Sequence, residues 1–104
     1  MTVTAITSLA QYKEIIENND NVIIDAWAPW CGPCRFISPV FEKLSETFSN
    51  IYFAKVDVDE VPDVSEELGI RAMPTFTAFK KGEKFDSLRG ADPGGLETLI
   101  QKLA

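Results

Sequence analysis

Val22-Ile23-Ile24-Asp25-Ala26-Trp27-Ala28, then Pro29, then Trp30-Cys31-Gly32-Pro33-Cys34, is the stretch on which the reading of this chain turns. Its apolar first half reads as a strand buried on both faces. After the cysteines, Ile37, Phe41, Leu44 and Phe48 recur at helical spacing, so a helix is expected from about Cys34 to Phe48. The two thiols thus fall at the carboxyl end of a buried strand, where a helix begins. Open α/β sheets place their sites at that edge. Cysteines at i and i+3 of a helical turn have Cβ atoms roughly 5–6 Å apart, close enough for a disulfide after modest adjustment.

Outward from that stretch, periodicity and punctuation supply the remaining elements. Val3 to Ile6 reads as a short strand. Ser8 and Gln11 fit a capping box opening a helix to about Asn18, with Leu9, Tyr12 and Ile16 on one face. Asn19-Asp20-Asn21 is a turn. Pro39 falls inside the second helix and is expected to kink it. Ile51 to Val58 is a second strong strand, and Asp59-Glu60-Val61-Pro62 opens a short acidic helix ending at Gly69. Thr75 to Phe79 and Lys84 to Arg89 are strands joined by a tight turn at Lys81-Gly82, hence an antiparallel hairpin. Asp92-Pro93 caps a last helix in which Leu96, Leu99, Ile100 and Leu103 share a face. The order β-α-β-α-β-α-β-β-α predicts an α/β fold, a mixed five-stranded sheet flanked by four helices, over a single domain of residues 1–104.

Composition narrows the function classes. A chain of 104 residues with 45% hydrophobic and 25% charged residues is long enough for a full core without cross-links. The net charge of −6 argues against nucleic acid as a partner, because phosphate contacts need clustered Lys and Arg. Residues 1–20 hold no apolar run resembling a signal-peptide core, and Asp25 stops the run Val22-Ile23-Ile24 far short of a membrane span. A soluble, cytoplasmic protein is the expectation, with no membrane partner. The cytosol keeps thiols reduced, so a C-x-x-C pair there is metal-binding or catalytic more often than structural.

Three chemistries compete for the cysteine pair. A zinc site wants four ligands, and this chain offers two thiols and no histidine, so carboxylates would have to complete it. Covalent haem attachment needs a histidine where Arg35 stands. A structural staple closing a four-residue loop contributes roughly 2 kcal/mol, against about 3 for fifteen residues, and a domain with a full core gains little from it. The redox reading uses every residue of the motif. Cys31, at or just before a helix N-terminus, has its thiolate favoured by unpaired N–H groups and the helix dipole. Cys34, one turn in, suits the resolving of a mixed disulfide, so an exposed Cys31 and a shielded Cys34 are expected. Gly32 allows close approach of a substrate backbone, and Pro33 presets the first helical turn.

Asp25 interrupts an apolar strand, and a carboxylate buried there should have a raised pKa. The bland alternative is a salt-bridged or edge-exposed Asp. Lys55, in the strand Ile51–Val58, is its expected ionic partner or else a plain solvated lysine. Trp27 is expected to pack in the core and Trp30 to lie at the surface beside the nucleophile.

Over essentially its full length the chain resembles the thioredoxin family. The resemblance rests on Asp25, Trp27-Ala28-Pro29-Trp30-Cys31-Gly32-Pro33-Cys34, Pro39, Gly69-Ile70-Arg71, Met73-Pro74-Thr75, Gly82 and Gly90. It implies that Cys31 attacks a protein disulfide and that Cys34 then releases the reduced substrate, leaving Cys31–Cys34 oxidised. It implies Asp25 as proton acceptor for Cys34, a cis Met73–Pro74 bond beside the cysteines, and a substrate groove formed by Trp30, Met73, Pro74, Gly90 and Ala91. It further implies a monomer that binds no cofactor, takes electrons from NADPH through a separate thioredoxin reductase, and serves disulfide-containing clients. Arg35 stands where family members often carry Lys, and no cysteine lies beyond the pair. The glycines in Asp92-Pro93-Gly94-Gly95 weaken the last helix without a functional reason in view.

The resemblance leads to a general protein-disulfide reductase. An oxidase or isomerase is the variant within the same chemistry, and Pro33 argues against it because oxidising relatives tend to carry His there. A non-catalytic binding module on the same fold is the alternative from another class, and it would tolerate loss of both thiols.

Overall fold

The computed structural model describes residues 3–104. Its elements are β1 (Val3–Ala5), α1 (Leu9–Asn18), β2 (Asn21–Trp27), α2 (Gly32–Thr47), β3 (Tyr52–Asp57), α3 (Pro62–Leu68), β4 (Thr75–Lys80), β5 (Glu83–Arg89) and α4 (Pro93–Leu103). They form one five-stranded sheet in the order β1-β3-β2-β4-β5. β1 and β2 run parallel to β3, while β4 runs antiparallel to both β2 and β5. The mixed sheet and four helices match the expected architecture.

β2 is the middle strand, and Val22 to Ala26 are all buried because both faces are covered. Side chains alternate across a strand, so Ile23 and Ile24 serve different cores. Ile23 joins Phe53 and Phe76 under α2 (Ile37, Phe41) and α4 (Leu96, Ile100). Ile24 joins Val22, Val56 and Phe79 under α1 (Tyr12, Ile15) and α3 (Val64, Leu68). Each fully buried Ile contributes roughly 1.5–3 kcal/mol, which fixes the register, since a one-residue slip would exchange the two faces.

Local signals explain most boundaries. Ser8 Oγ accepts the Gln11 N–H at 3.1 Å, but Gln11 Oε1 reaches back to the Thr7 N–H at 2.6 Å rather than to Ser8 itself. In α1 the buried pair is Tyr12 and Ile15, and Ile16 is only half-buried, one position off the predicted face. Helix α2 begins two residues before the predicted start because Gly32 and Pro33 already form its first turn, with Cys31 as its N-cap. Pro39 sits at an exposed position of α2 and leaves the Arg35 carbonyl without its helical donor. Gly69 ends α3 in the left-handed region at φ 70°, as expected of a C-cap glycine. The β4–β5 turn has positive φ at both Lys81 and Gly82. Asp92 caps α4 by accepting the Gly95 N–H at 3.1 Å. A Cβ at residue 95 would lie 2.7 Å from Asp92 Oδ2, so the cap itself accounts for that glycine.

Candidate functional site

Strand direction assembles the site. The antiparallel register pairs Ala26 with Thr75, so the residues after β2 meet Met73 and Pro74, which precede β4. Arg89 pairs with Thr75, which brings Gly90 and Ala91 to the same edge. Trp27 pairs with Asp57 on β3, so Val58 and Asp59 arrive there as well. Residues more than forty positions apart in sequence thereby converge on the N-terminus of α2.

Cys31 and Cys34 are joined as a disulfide with Cα atoms 5.3 Å apart, inside the range such bonds require. Cys31 Sγ accepts the Cys34 N–H at 3.1 Å, so this sulfur is itself the side-chain cap of α2. It also lies 3.7 Å from the Met73 carbonyl oxygen. The expected contrast in exposure is absent, since Cys31 is 5% and Cys34 3% exposed. Both sulfurs sit in a small cluster with Ala28, covered by Trp27, Val58 and Met73. What separates the two thiols is their surroundings, the capping position for Cys31 and an inner cavity for Cys34.

That cavity, of about 100 Å³, is lined by Asp25, Trp27, Cys34, Arg35, Ser38 and Lys55. Asp25 is 3% exposed and its Oδ1 has no hydrogen-bond partner among the described residues. Burial pushes its carboxyl up from 3.8 to about 7, and Lys55 offsets that only in part. Lys55 is the cross-strand neighbour of Asp25 but forms no ion pair with it, so of the two readings left open for Lys55 the direct salt bridge is not the one found. Its Nζ lies instead 5.9 Å from the centroid of the Trp27 ring. Trp27 is half-buried and walls the cavity rather than filling the core, with a buried Nε1 that lacks a partner among the described residues.

The outer rim is apolar and shallow. Trp30 is 65% exposed and its Nε1 donates to Asp59 Oδ2 at 2.8 Å. The Met73–Pro74 bond is cis, Pro74 is buried and Met73 is half-buried. The Gly90 N–H donates to the Pro74 carbonyl at 2.9 Å, and Gly90 sits at φ 100°, which a side chain would oppose. Ala91 is half-buried beside it. Ser38 and Asp59 were not legible as site residues. Ser38 carried no signal beyond its helical position, and Asp59 reaches Trp30 only through the β2–β3 register. No group of three or more metal-ligating side chains occurs among the described residues.

A disulfide whose Cys31 sulfur caps a helix, beside a buried carboxyl that Lys55 compensates only in part and beneath an open rim, defines a thiol–disulfide exchange protein. The thioredoxin family model matches residues 3–102. A thioredoxin from Coprinus comatus is 54% identical over 102 residues, covering 96% of each chain. The structure of Plasmodium falciparum thioredoxin superimposes with a TM-score of 0.95 at 46% identity, covering 97% of this chain and 99% of that one. A structure from work on thiol resolution in yeast mitochondrial 1-Cys peroxiredoxin through the glutathione and thioredoxin systems gives 0.94 at 38% identity, covering 98% and 96%. The chain belongs to the thioredoxin family and is a protein-disulfide reductase acting on disulfide-containing targets. Proteins of this family need no bound cofactor. No helix among the described residues is long and apolar enough to cross a membrane.

Proposed function

We propose that residues 1–104 act as one thioredoxin domain, monomeric and cytoplasmic, in which Cys31 is the nucleophile and Cys34 the resolving thiol. The observation that carries this assignment is the Cys34 N–H aimed at Cys31 Sγ at 3.1 Å. In the reduced protein the same donor, together with the dipole of α2, favours a thiolate on Cys31. That thiolate attacks one sulfur of a client disulfide, forms the mixed disulfide and expels the other client sulfur as thiolate. Cys34 then loses its proton and attacks Cys31 Sγ, and the remaining client sulfur leaves. Two electrons pass from the dithiol to the client, and the Cys31–Cys34 disulfide of this structure is the product.

Asp25 accepts the Cys34 proton through water in the shared cavity, an assignment supported by a pKa raised to about 7 and thus matched to neutral pH. Lys55 tunes that carboxyl from across the strand. Trp30, Met73, Pro74, Gly90 and Ala91 hold the client backbone, while Gly32 and Pro33 keep the rim low. The oxidised pair is reduced again by a thioredoxin reductase drawing on NADPH. Peroxiredoxins are among the clients this reading admits, given the structural neighbour obtained in that context.

Insulin reduction in dithiothreitol tests the assignment. Wild type accelerates it, Cys31→Ser abolishes the acceleration, and Cys34→Ser accumulates a mixed disulfide through Cys31. A wild type no faster than dithiothreitol alone would sink the reductase reading, and a trapped adduct on Cys34 would reverse the two roles.

A further inference from the structure

Two buried side-chain atoms have no hydrogen-bond partner among the described residues, Asp25 Oδ1 and Trp27 Nε1. They belong to residues two apart on β2, which therefore share one face of the sheet. That is the face α2 covers, since Ile23, two residues earlier, packs there against Ile37 and Phe41. Cys34 and Ser38 come from α2 one turn apart, and Lys55 comes from β3 beside Asp25. All of them line the same cavity of about 100 Å³.

The two unpartnered atoms are of opposite kind. An indole Nε1–H only donates, and a carboxylate oxygen accepts. Folding leaves few such atoms unpaired, so a donor and an acceptor on one cavity call for a shared partner. Lys55 does not supply it to Trp27, because its Nζ lies over the ring, 5.9 Å from the centroid, and engages the π face rather than the N–H at the edge. The cavity has room for about three water molecules, each taking roughly 30 Å³ in the liquid. One water that accepts from Trp27 Nε1 and donates to Asp25 Oδ1 answers both atoms at once. Ser38 and Lys55 line the same space, so such a water has the polar partners it needs.

We propose that Trp27 is a positioning residue for the second half of the reaction: its indole N–H fixes the water through which Cys34 hands its proton to Asp25. This rests on the reading of Asp25 as proton acceptor. With one lone pair held by Trp27 Nε1, the water keeps the other for the Cys34 S–H and directs a proton at Asp25 Oδ1. As Cys34 gives its proton to the water, the water passes one to the carboxylate. The Cys34 thiolate attacks Cys31 Sγ, the bond from Cys31 to the client sulfur breaks, and that sulfur leaves as thiolate with the electron pair. The charged and titratable groups around Asp25 are Lys55 from β3 and Cys34 and Arg35 from α2, and its neighbour on β4 is the apolar Phe76. Unlike the first three, the indole N–H does not titrate, so it holds the water in either state of the carboxyl.

The test is a stopped-flow reaction of the reduced protein with dithiobis-nitrobenzoate, an aromatic disulfide. It releases one coloured thiolate when Cys31 attacks and a second when Cys34 resolves. Near pH 7.5, Trp27→Phe is expected to slow the second release about tenfold and to leave the first within about twofold of wild type. The benzothienylalanine analogue at position 27, with sulfur in place of the N–H and the ring shape kept, should behave as Trp27→Phe does. Near pH 10, above the ordinary thiol pKa of about 8.5, Cys34 ionises unaided and the deficit closes. Asp25→Asn alone slows the second release about a hundredfold. Adding Trp27→Phe to it slows that release no further. Both releases slowed alike, or a deficit that persists near pH 10, would leave Trp27 with a merely structural role and overturn the proposal. A slow Asp25→Asn beside position-27 variants of wild-type speed removes the role of Trp27 alone. An undiminished second release in Asp25→Asn overturns the acceptor reading, and this proposal with it.

Discussion

Asp25 and Lys55 face each other across β2 and β3 and line one cavity, yet no ion pair joins them. Asp25 is therefore a buried carboxyl without a compensating contact, and desolvation dominates its titration. In the unfolded chain it ionises near 3.8; in the folded chain it does so near 7. Between those values the folded state holds the extra proton, so this group's contribution to stability falls as pH rises through the window. The total is on the order of 4 kcal/mol. Asp25→Asn should be a few kcal/mol more stable than wild type near pH 8, with the gap closing near pH 4. Denaturant melts at both pH values check this, and parallel curves for the two proteins would contradict it.

Lys55 lowers the Asp25 pKa through its field alone. Lys55→Gln removes that influence, so Asp25 should titrate higher than in wild type. A carbon-detected NMR titration of the carboxyl reads the shift directly. A downward movement, or none, would mean that the two charges are screened from one another.

Cys31 Sγ caps α2, which makes the reduced thiolate sensitive to charge added in the first helical turn. Pro33→His places an imidazole there and should stabilise the thiolate, raising the reduction potential by about 30 mV for each 1.4 kcal/mol gained. Equilibration with glutathione measures it. A potential equal to wild type would show that the helix cap, not position 33, controls the couple.

Lys81 sits at φ 53° in the β4–β5 turn, next to Gly82 at φ 83°. Two positive φ values favour Asn-Gly in such hairpins, and a lysine is strained where asparagine is tolerated. Lys81→Asn keeps the N–H that donates to the Asp20 carbonyl at 2.7 Å. It should stabilise the protein by about 0.5–1 kcal/mol, seen as a higher thermal midpoint.

Gly94 and Gly95 are adjacent at the start of α4 but differ in what a methyl group would meet. At Gly94 the nearest atom is Asp92 Oδ1 at 3.7 Å, an ordinary contact; at Gly95 the cap carboxylate stands at 2.7 Å. Gly94→Ala should gain about 0.5 kcal/mol from helix propensity. Gly95→Ala should fall below it by about 1 kcal/mol, because the methyl displaces the Asp92 cap. Identical melting shifts would show that Asp92 moves aside at no cost.

Nearly every element was legible because its signal is local. Ser8, Asp92 and Gly69 mark helix ends through their own hydrogen bonds and φ values. The apolar run of β2 announces burial on both faces whatever covers them. The errors were of two kinds. Helix α2 was started late because Gly32 and Pro33 look like a turn until Cys31 is seen to cap them. The exposure of Cys31 was misjudged and the pairing of Lys55 was left open, because both depend on neighbours remote in sequence, Met73 and Val58 for the first and the offset toward Trp27 for the second.

The sequence by itself determined that two thiols stand where a buried strand gives way to a helix N-terminus. Periodicity, proline and capping chemistry act within a few residues, so they survive in the one-dimensional record. Only the tertiary structure decided that Met73 and Val58 meet those thiols, that Gly90 bonds Pro74 and Asp59 bonds Trp30 nearby, and that Asp25 shares a cavity with Cys34. The physical reason is that such meetings depend on strand order and direction, above all on β4 running against β2. That arrangement is selected by the packing of the whole sheet, and no local stretch of residues encodes it.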